Sequence, residues 1–352
     1  MNALDTTAQA APRAAAQPVH PTHKFKLLLK REYWEHKGGF LWAPLIAGGI
    51  SLLLTLMAIV VALIAARRAI GEGSFEVDGV TINGLDLAQL TSQLGPEEMD
   101  QFVAGINLTL FMSSVWPFIV LAFVAFFYCL GALYDERKDR SVLFWKSLPL
   151  SDSQTVLSKV VSVGLVAPAL ATIAAVATML VFALMISVVV MLHGGNAWTM
   201  VWGPSSPLTI IGGLIAAIPV YALWAMPTIG WLLLCSAFAR SKPFLWAIMV
   251  PLFAGIFVTW FDLMQLFDLG ASWFWANIVG RLLLGTVPGL ELLYRDGVGE
   301  PGDFEHSADL LHLLSANNTL ATLAMPELWI GVIVGAAMIL GAIRLRRWRD
   351  EG

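Results

Sequence analysis

The chain has 352 residues, 58% of them hydrophobic and only 13% charged, with a formal net charge of -4. A soluble domain of this length would carry about 25% charged residues, so the composition excludes an ordinary soluble fold and points to an all-α membrane protein. Cys129 and Cys235 both sit in apolar runs without metal-ligand neighbours, and no disulfide is expected.

In chain order, residues 1–23 are rich in Ala, Pro, Thr and Gln and read as a disordered tail without a secretory leader. Residues 24–39 read as an interfacial amphipathic helix. Phe25, Leu28 and Leu29 share one face, and Lys26, Lys30 and Lys37 group on another, as suits apolar residues in the headgroup boundary and basic ones on anionic lipid. Leu27 and Trp34 fall on the wrong side, so the frayed start of a first span is the alternative. Gly38-Gly39 predicts a bend.

A bilayer core of ~30 Å requires ~20 apolar residues in helix. Six segments qualify within residues 40–343: Phe40–Ala65, Leu108–Leu133, Val160–Leu192, Leu208–Phe238, Phe244–Leu263 and Leu328–Ile343. The third is long enough to demand tilting or a kink, with Pro168 the expected place. Pro117, Pro219, Pro227 and Pro251 also fall inside spans, where membrane helices tolerate them.

Seventeen of the 21 Lys and Arg residues fall on one side of this arrangement. By the positive-inside rule that side is cytoplasmic and holds both termini, including the basic tail 344–352, together with the loop 134–159 and the Ala239–Pro243 turn. The outward segments are then 67–107, 193–207 and 265–327. Within the last, 271–293 is apolar but interrupted by Gly280, Arg281, Gly285 and Pro288. It reads as an interfacial or re-entrant segment, since a seventh span would carry the C-terminal arginines outside.

No Asp, Glu, Lys, Arg or His lies near the middle of any of the six spans, whereas ion-driven carriers use ionisable groups at membrane depth. Energy for uphill transport would have to enter from outside the membrane part. The sequence has no Gly-x-x-x-x-Gly-Lys-Ser/Thr phosphate loop, no His-Glu-x-x-His and no Gly-x-Ser-x-Gly. His306, Asp309 and His312 are spaced for one helix face, but ordinary surface residues explain them better than a metal site. Asn107-Leu-Thr and Asn317-Asn-Thr match glycosylation sequons, a pattern that arises often by chance.

The polar island Tyr134–Asp152 carries the most information. Six consecutive charges, Asp135 to Arg140, precede the apolar knot Val142, Leu143, Phe144 and Trp145, then Lys146, and Pro149 ends the helix. Ser151 and Gln154 form a capping box opening the next helix. A solvated turn between spans is the simpler reading; a short helix that presses on a soluble partner is the sharper one.

Glu136-Arg137, Arg140-Ser-Val-Leu143 and Lys146-Ser-Leu-Pro-Leu-Ser151, followed by Lys159, resemble the first cytoplasmic loop of ABC-2 type transporter permeases. The sequence departs from that pattern at Arg140, where members often carry Gly. The resemblance implies a six-span exporter subunit of a bacterial inner membrane, paired with a second permease copy or paralogue and driven by a separate cytoplasmic ATPase dimer. ATP and Mg would then belong to that ATPase, with no cofactor, metal or catalytic residue in this chain and no nucleic acid partner. It further implies that Glu136, Arg137, Arg140, Val142, Leu143, Phe144, Trp145, Lys146 and Pro149 couple the permease to the ATPase. Two other classes stand beside it: a non-transporting sensor or assembly subunit with ligand-binding outer loops, and, less favoured, an intramembrane enzyme.

Overall fold

The computed structural model describes residues 21–71, 75–77, 80–82, 95–147, 150–203, 207–265, 270–294, 311–312 and 315–348. The tail 1–20, Pro149, His306, Asp309 and residues 349–352 lie outside them. Among the described residues, six helices are long and apolar enough to cross a membrane, as expected of a multi-pass helical membrane protein. The all-α expectation needs one amendment. Phe75–Val77 (β1) and Val80–Ile82 (β2) form an antiparallel hairpin, with Phe75 opposite Ile82.

Helix α1 (Pro21–Lys37) starts on a proline, whose fixed φ and missing N–H suit a first turn, three residues before the expected Lys24. It bends at His36 (φ -111°, ψ 15°) and passes through a π turn at Gly38–Trp42 into α2 (Ala43–Gly71). The expected bend is therefore present, starting two residues before Gly38. Leu28 is buried with Phe25 and Leu29 partly covered beside it, Lys26, Lys30 and Lys37 are exposed, and Leu27 and Trp34 lie exposed on the other side; Glu32 is the buried residue that the facing did not include.

The second span is longer than its apolar core. Helix α3 (Pro96–Ser113) breaks at Ser114 and continues as α4 (Val115–Gly131), so part of the outward segment 67–107 is helical. Glu98 accepts from the Gly95 N–H at 2.7 Å and closes the first turn of α3. Asn107 of the first sequon is fully buried on α3, which removes it as a glycosylation acceptor.

Two short helices follow, α5 (Tyr134–Lys138) and α6 (Ser141–Ser147). Helix α7 (Asp152–Val161) opens on the expected capping box: the Gln154 N–H donates to Ser151 Oγ at 3.2 Å. A π turn at Ser162–Val166 then leads into α8 (Ala167–Leu192). Pro168 has no N–H to offer the carbonyl four residues back, and the widened turn sits at that place. The buried face of α8 is mostly small (Ala167, Ala171, Ala174, Ala175, Ala183), which lets neighbouring backbones approach closely where lipid supplies no hydrophobic drive.

The fourth span is broken. Helices α9 (Pro207–Trp224) and α10 (Met226–Phe238) meet at Ala225, just before Pro227. Helix α11 (Pro243–Leu263) is the fifth span and α15 (Pro326–Trp348) the sixth, with α14 (Ala316–Ala321) between them. Helices α12 (Ala271–Phe274) and α13 (Arg281–Leu284) are joined by a π turn at Trp275–Gly280. At about 1.5 Å per residue, residues 271–284 extend roughly 21 Å, too short to span. They fold back on α11, where Trp275 Nε1 donates to Thr259 Oγ1 at 2.7 Å. Residues 271–284 are not among the six helices long and apolar enough to cross a membrane, and they pack against α11.

One buried cluster joins the spans at the charged end: Leu121, Ala125 and Cys129 of α4, Val156 and Val160 of α7, Ile229, Leu232 and Leu233 of α10, and Ile339 and Ala342 of α15. Helices α10 and α15 pack through glycine. A Cβ on Gly230 would lie 2.6 Å from the Gly335 carbonyl oxygen, and one on Gly335 would lie 2.5 Å from the Met226 carbonyl carbon. Gly331 and Gly335 form a Gly-x-x-x-Gly stripe, used here within the chain.

Candidate functional site: a buried ionic network beneath a short surface helix

The charges of the polar island do not all face solvent. Glu136 and Arg137 turn inward from α5, and each is at least nine-tenths buried. The Glu136 carboxylate lies 3.0 Å from Lys159 Nζ on α7 and 2.9 Å from Arg346 Nη1 on α15. Lys159 also donates to Glu32 Oε1 of α1 at 3.0 Å, and the Tyr128 hydroxyl of α4 donates to Glu32 Oε2 at 2.7 Å. Arg346 Nε reaches Asp152 Oδ1 at 3.2 Å, in the first turn of α7, where a carboxylate also complements the helix dipole. Five elements, α1, α4, α5, α7 and α15, thus meet through one set of alternating charges.

Burying such ions costs several kcal/mol each unless every charge meets a partner with good geometry. The alternation Glu32–Lys159–Glu136–Arg346–Asp152 puts every charge within 3.2 Å of an opposite one, although the Glu136 contacts to Lys159 and Arg346 lack hydrogen-bond geometry. Its energetic meaning is mutual dependence: removal of any member strands a charge that the fold has already taken out of water.

Arg137 ties the same loop to the broken span. Its Nη2 donates to the carbonyls of Ser236 at 2.6 Å and Ala239 at 2.8 Å. Ser236 Oγ accepts from the Leu133 and Tyr134 N–H groups at 3.0 and 2.9 Å and donates to the Leu130 carbonyl at 2.7 Å. The backbone groups freed at the end of α4 are thereby satisfied.

Between α5 and α6 stands Arg140, exposed, with φ at +57°. This is the left-handed region, which glycine enters freely and a side chain enters at a cost of about 1–2 kcal/mol. The position at which the sequence departs from the permease pattern is thus one whose backbone favours the pattern's glycine.

The apolar knot on α6 divides in two. Val142 is 1% exposed and anchors the helix, whereas Leu143 and Phe144 are 56% and 60% exposed. Trp145 is half-buried, and the Arg31 guanidinium of α1 stacks on its ring 3.5 Å from the centroid, a cation–π contact. Lys146 lies on α6 and Pro149 beyond the described residues. Of the nine residues expected to couple to a partner, three (Glu136, Arg137 and Val142) are buried and hold the loop from inside. Leu143 and Phe144 are the apolar side chains left outward, beside exposed Asp139 and Arg140.

No family model, characterised protein or solved structure matches this chain.

Glu32 and Arg346 are the members of the network that the sequence reading missed. One signal existed for each: a Glu among the basic residues of α1, and an arginine just past an apolar span. The pairing partners are remote in sequence, so neither signal identifies the contact. Glu32, Glu35 and His36 present ligand-type atoms within 4.8 Å of one another. Glu32 is already committed to Lys159 and Tyr128, so the trio has an internal explanation.

Proposed function

We propose that the chain is the membrane-spanning permease subunit of an ABC transporter of the ABC-2 type, driven by a separate soluble ATPase that docks on α6. One observation carries the reading. An apolar pair, Leu143 and Phe144, stands exposed on a seven-residue helix within a charged segment. The helix just before it, α5, is fixed by ion pairs of buried Glu136 to three other elements.

The exposed pair supplies what a protein interface uses as an anchor, apolar side chains at a rigid site. The network supplies transmission. Force applied at α6 reaches α7 through Glu136 and Lys159, α15 through Glu136 and Arg346, and α10 through Arg137. The substrate path would lie between paired permeases, with both termini of each on the ATPase side, in a bacterial inner membrane. The uncharged character of the spans suits an amphipathic, lipid-like or peptide cargo better than a small ion.

The test is biochemical. A reading frame for a phosphate-loop ATPase beside this one is expected, and its product should co-purify with the chain. In proteoliposomes the pair should hydrolyse ATP faster together than the ATPase alone and move cargo. An ATPase that neither binds nor responds to the chain would overturn the proposal and favour a sensor or assembly subunit.

A further inference from the structure

The α15 helix carries a buried guanidinium at each end. At the charged end its own Arg346 holds Glu136 and Asp152. At the other end Arg281, from the folded-back segment, donates from Nη1 to the carbonyl of Glu327 at 2.6 Å, in the first turn of α15. Helical rise places Glu327 and Arg346 roughly 28 Å apart.

The seat of Arg281 is built from the broken fourth span. Its guanidinium stacks 4.2 Å over the Trp224 ring, the last residue of α9. Thr228, in the first turn of α10, donates its hydroxyl to the Arg281 carbonyl at 2.5 Å. Gly331 leaves the room the guanidinium occupies, since a Cβ there would lie 2.7 Å from Arg281 Cζ. One helical turn on, the Tyr221 hydroxyl donates to the carbonyl of buried Thr286 at 3.2 Å. A buried charged side chain thus reaches the spans from outside them, from α13, although no span carries one at its centre.

Helix α15 is also continuous. The second, fourth and fifth spans carry a break (at Ser114 or Ala225) or an internal proline (Pro251), and the first and third are entered through a π turn (at Gly38–Trp42 or Ser162–Val166). Helix α15 runs from Pro326 to Trp348 without any of these, and it is keyed to α10 through Gly335. A continuous helix passes an axial displacement at one end along its length.

We propose that α15 is a rigid connector that makes the Arg281 seat respond to the state of the ionic network. Loosening Arg346 shifts the rod along α10, moves the Glu327 carbonyl, and unseats the guanidinium from Trp224. Among the contacts of Arg281 are a carbonyl of α15 and an aromatic face of α9, and an axial shift of α15 changes the geometry of the first relative to the second. In the permease reading this is a route from the docking helix to the folded-back segment, and the inference deepens that reading. Its test requires no ATPase, so either can fail alone.

The reporter is Thr286→Cys in a chain with Cys129→Ala and Cys235→Ala, labelled in native membranes by a small permeant maleimide. Arg346→Met should raise the labelling rate by about twofold to thirtyfold, the range of coupling carried by packed elements. Asp152→Asn, a milder change at the same guanidinium, should raise it less and serves where Arg346→Met does not fold. Ala336→Gly with Ala337→Gly softens the rod midway and should abolish the response. Unchanged labelling with Arg346→Met and Asp152→Asn would overturn the inference. So would a response that survives the double glycine undiminished, because the signal would then travel by another route.

Discussion

Lys159 Nζ lies 3.0 Å from Glu136 Oε1, so the foot of the third span and the loop helix α5 share one buried charge pair. Glu32 takes the same ammonium from the other side at 3.0 Å. Lys159→Met therefore leaves two buried carboxylates with less positive charge than the fold was built around. A loss of about 3–5 kcal/mol is expected, the usual cost of breaking a buried pair on one side. Thermal unfolding in detergent measures it. Adding Glu32→Gln to Lys159→Met should return part of the loss, because it removes one of the stranded charges.

Phe144→Asp and Val142→Asp separate docking from folding within one short helix. Phe144 is exposed, and an aspartate there stays in water, so expression and monodispersity should be unchanged. Val142 is fully covered, and a carboxylate in its place is buried without a partner, which costs several kcal/mol or forces the helix off its seat. Size-exclusion profiles should be normal for the first variant and aggregated or absent for the second. Trp145→Asp should fall between them, since it also removes the ring on which Arg31 rests.

Arg140→Gly should raise the unfolding temperature or leave it unchanged, because glycine relieves a left-handed residue by about 1 kcal/mol while adding unfolded-state freedom. Arg140→Val should lower it, since a β-branched side chain tolerates φ of +57° least. Paired thermal melts decide this. Equal loss in both variants would mean that the Arg140 side chain, rather than its backbone, matters.

How much of this was legible in the sequence depends on the range of the interaction. Local devices were readable: the Ser151–Gln154 cap, the bend near Gly38 and the irregular turn before Pro168 all rest on neighbours within about a turn. The break at Ala225 was not read, although Pro227 was noticed, because a proline inside a membrane helix is tolerated as often as it divides one. The inward turn of Glu136 and Arg137 was invisible for a different reason. A run of six charges reads as a solvated face unless its partners are known, and Glu32, Lys159 and Arg346 come from three distant parts of the chain. The Gly331–Gly335 stripe was present in plain letters, but nothing local says which helix it receives.

Gly335→Ala and Gly341→Ala test the keyed contact of α10 and α15. A Cβ on Gly335 meets the backbone of Met226 at 2.5 Å, which cannot yield without moving a helix, whereas one on Gly341 meets the end of the Leu234 side chain at 3.2 Å. The first should cost about 1–3 kcal/mol or more, as overpacking does, and the second well under that. Chemical or thermal unfolding of the two purified variants gives the comparison, and equal costs would contradict the close packing.

The claim that α6 presents Leu143 and Phe144 to a soluble ATPase is tested most directly by placing a photoreactive phenylalanine at position 144 and irradiating intact cells. The account predicts an adduct whose second component, identified by mass spectrometry, is a phosphate-loop ATPase. The same probe at position 173, an exposed residue on the flank of α8, should give no such adduct. An adduct with lipid alone at position 144, in cells where the ATPase is expressed, would contradict it.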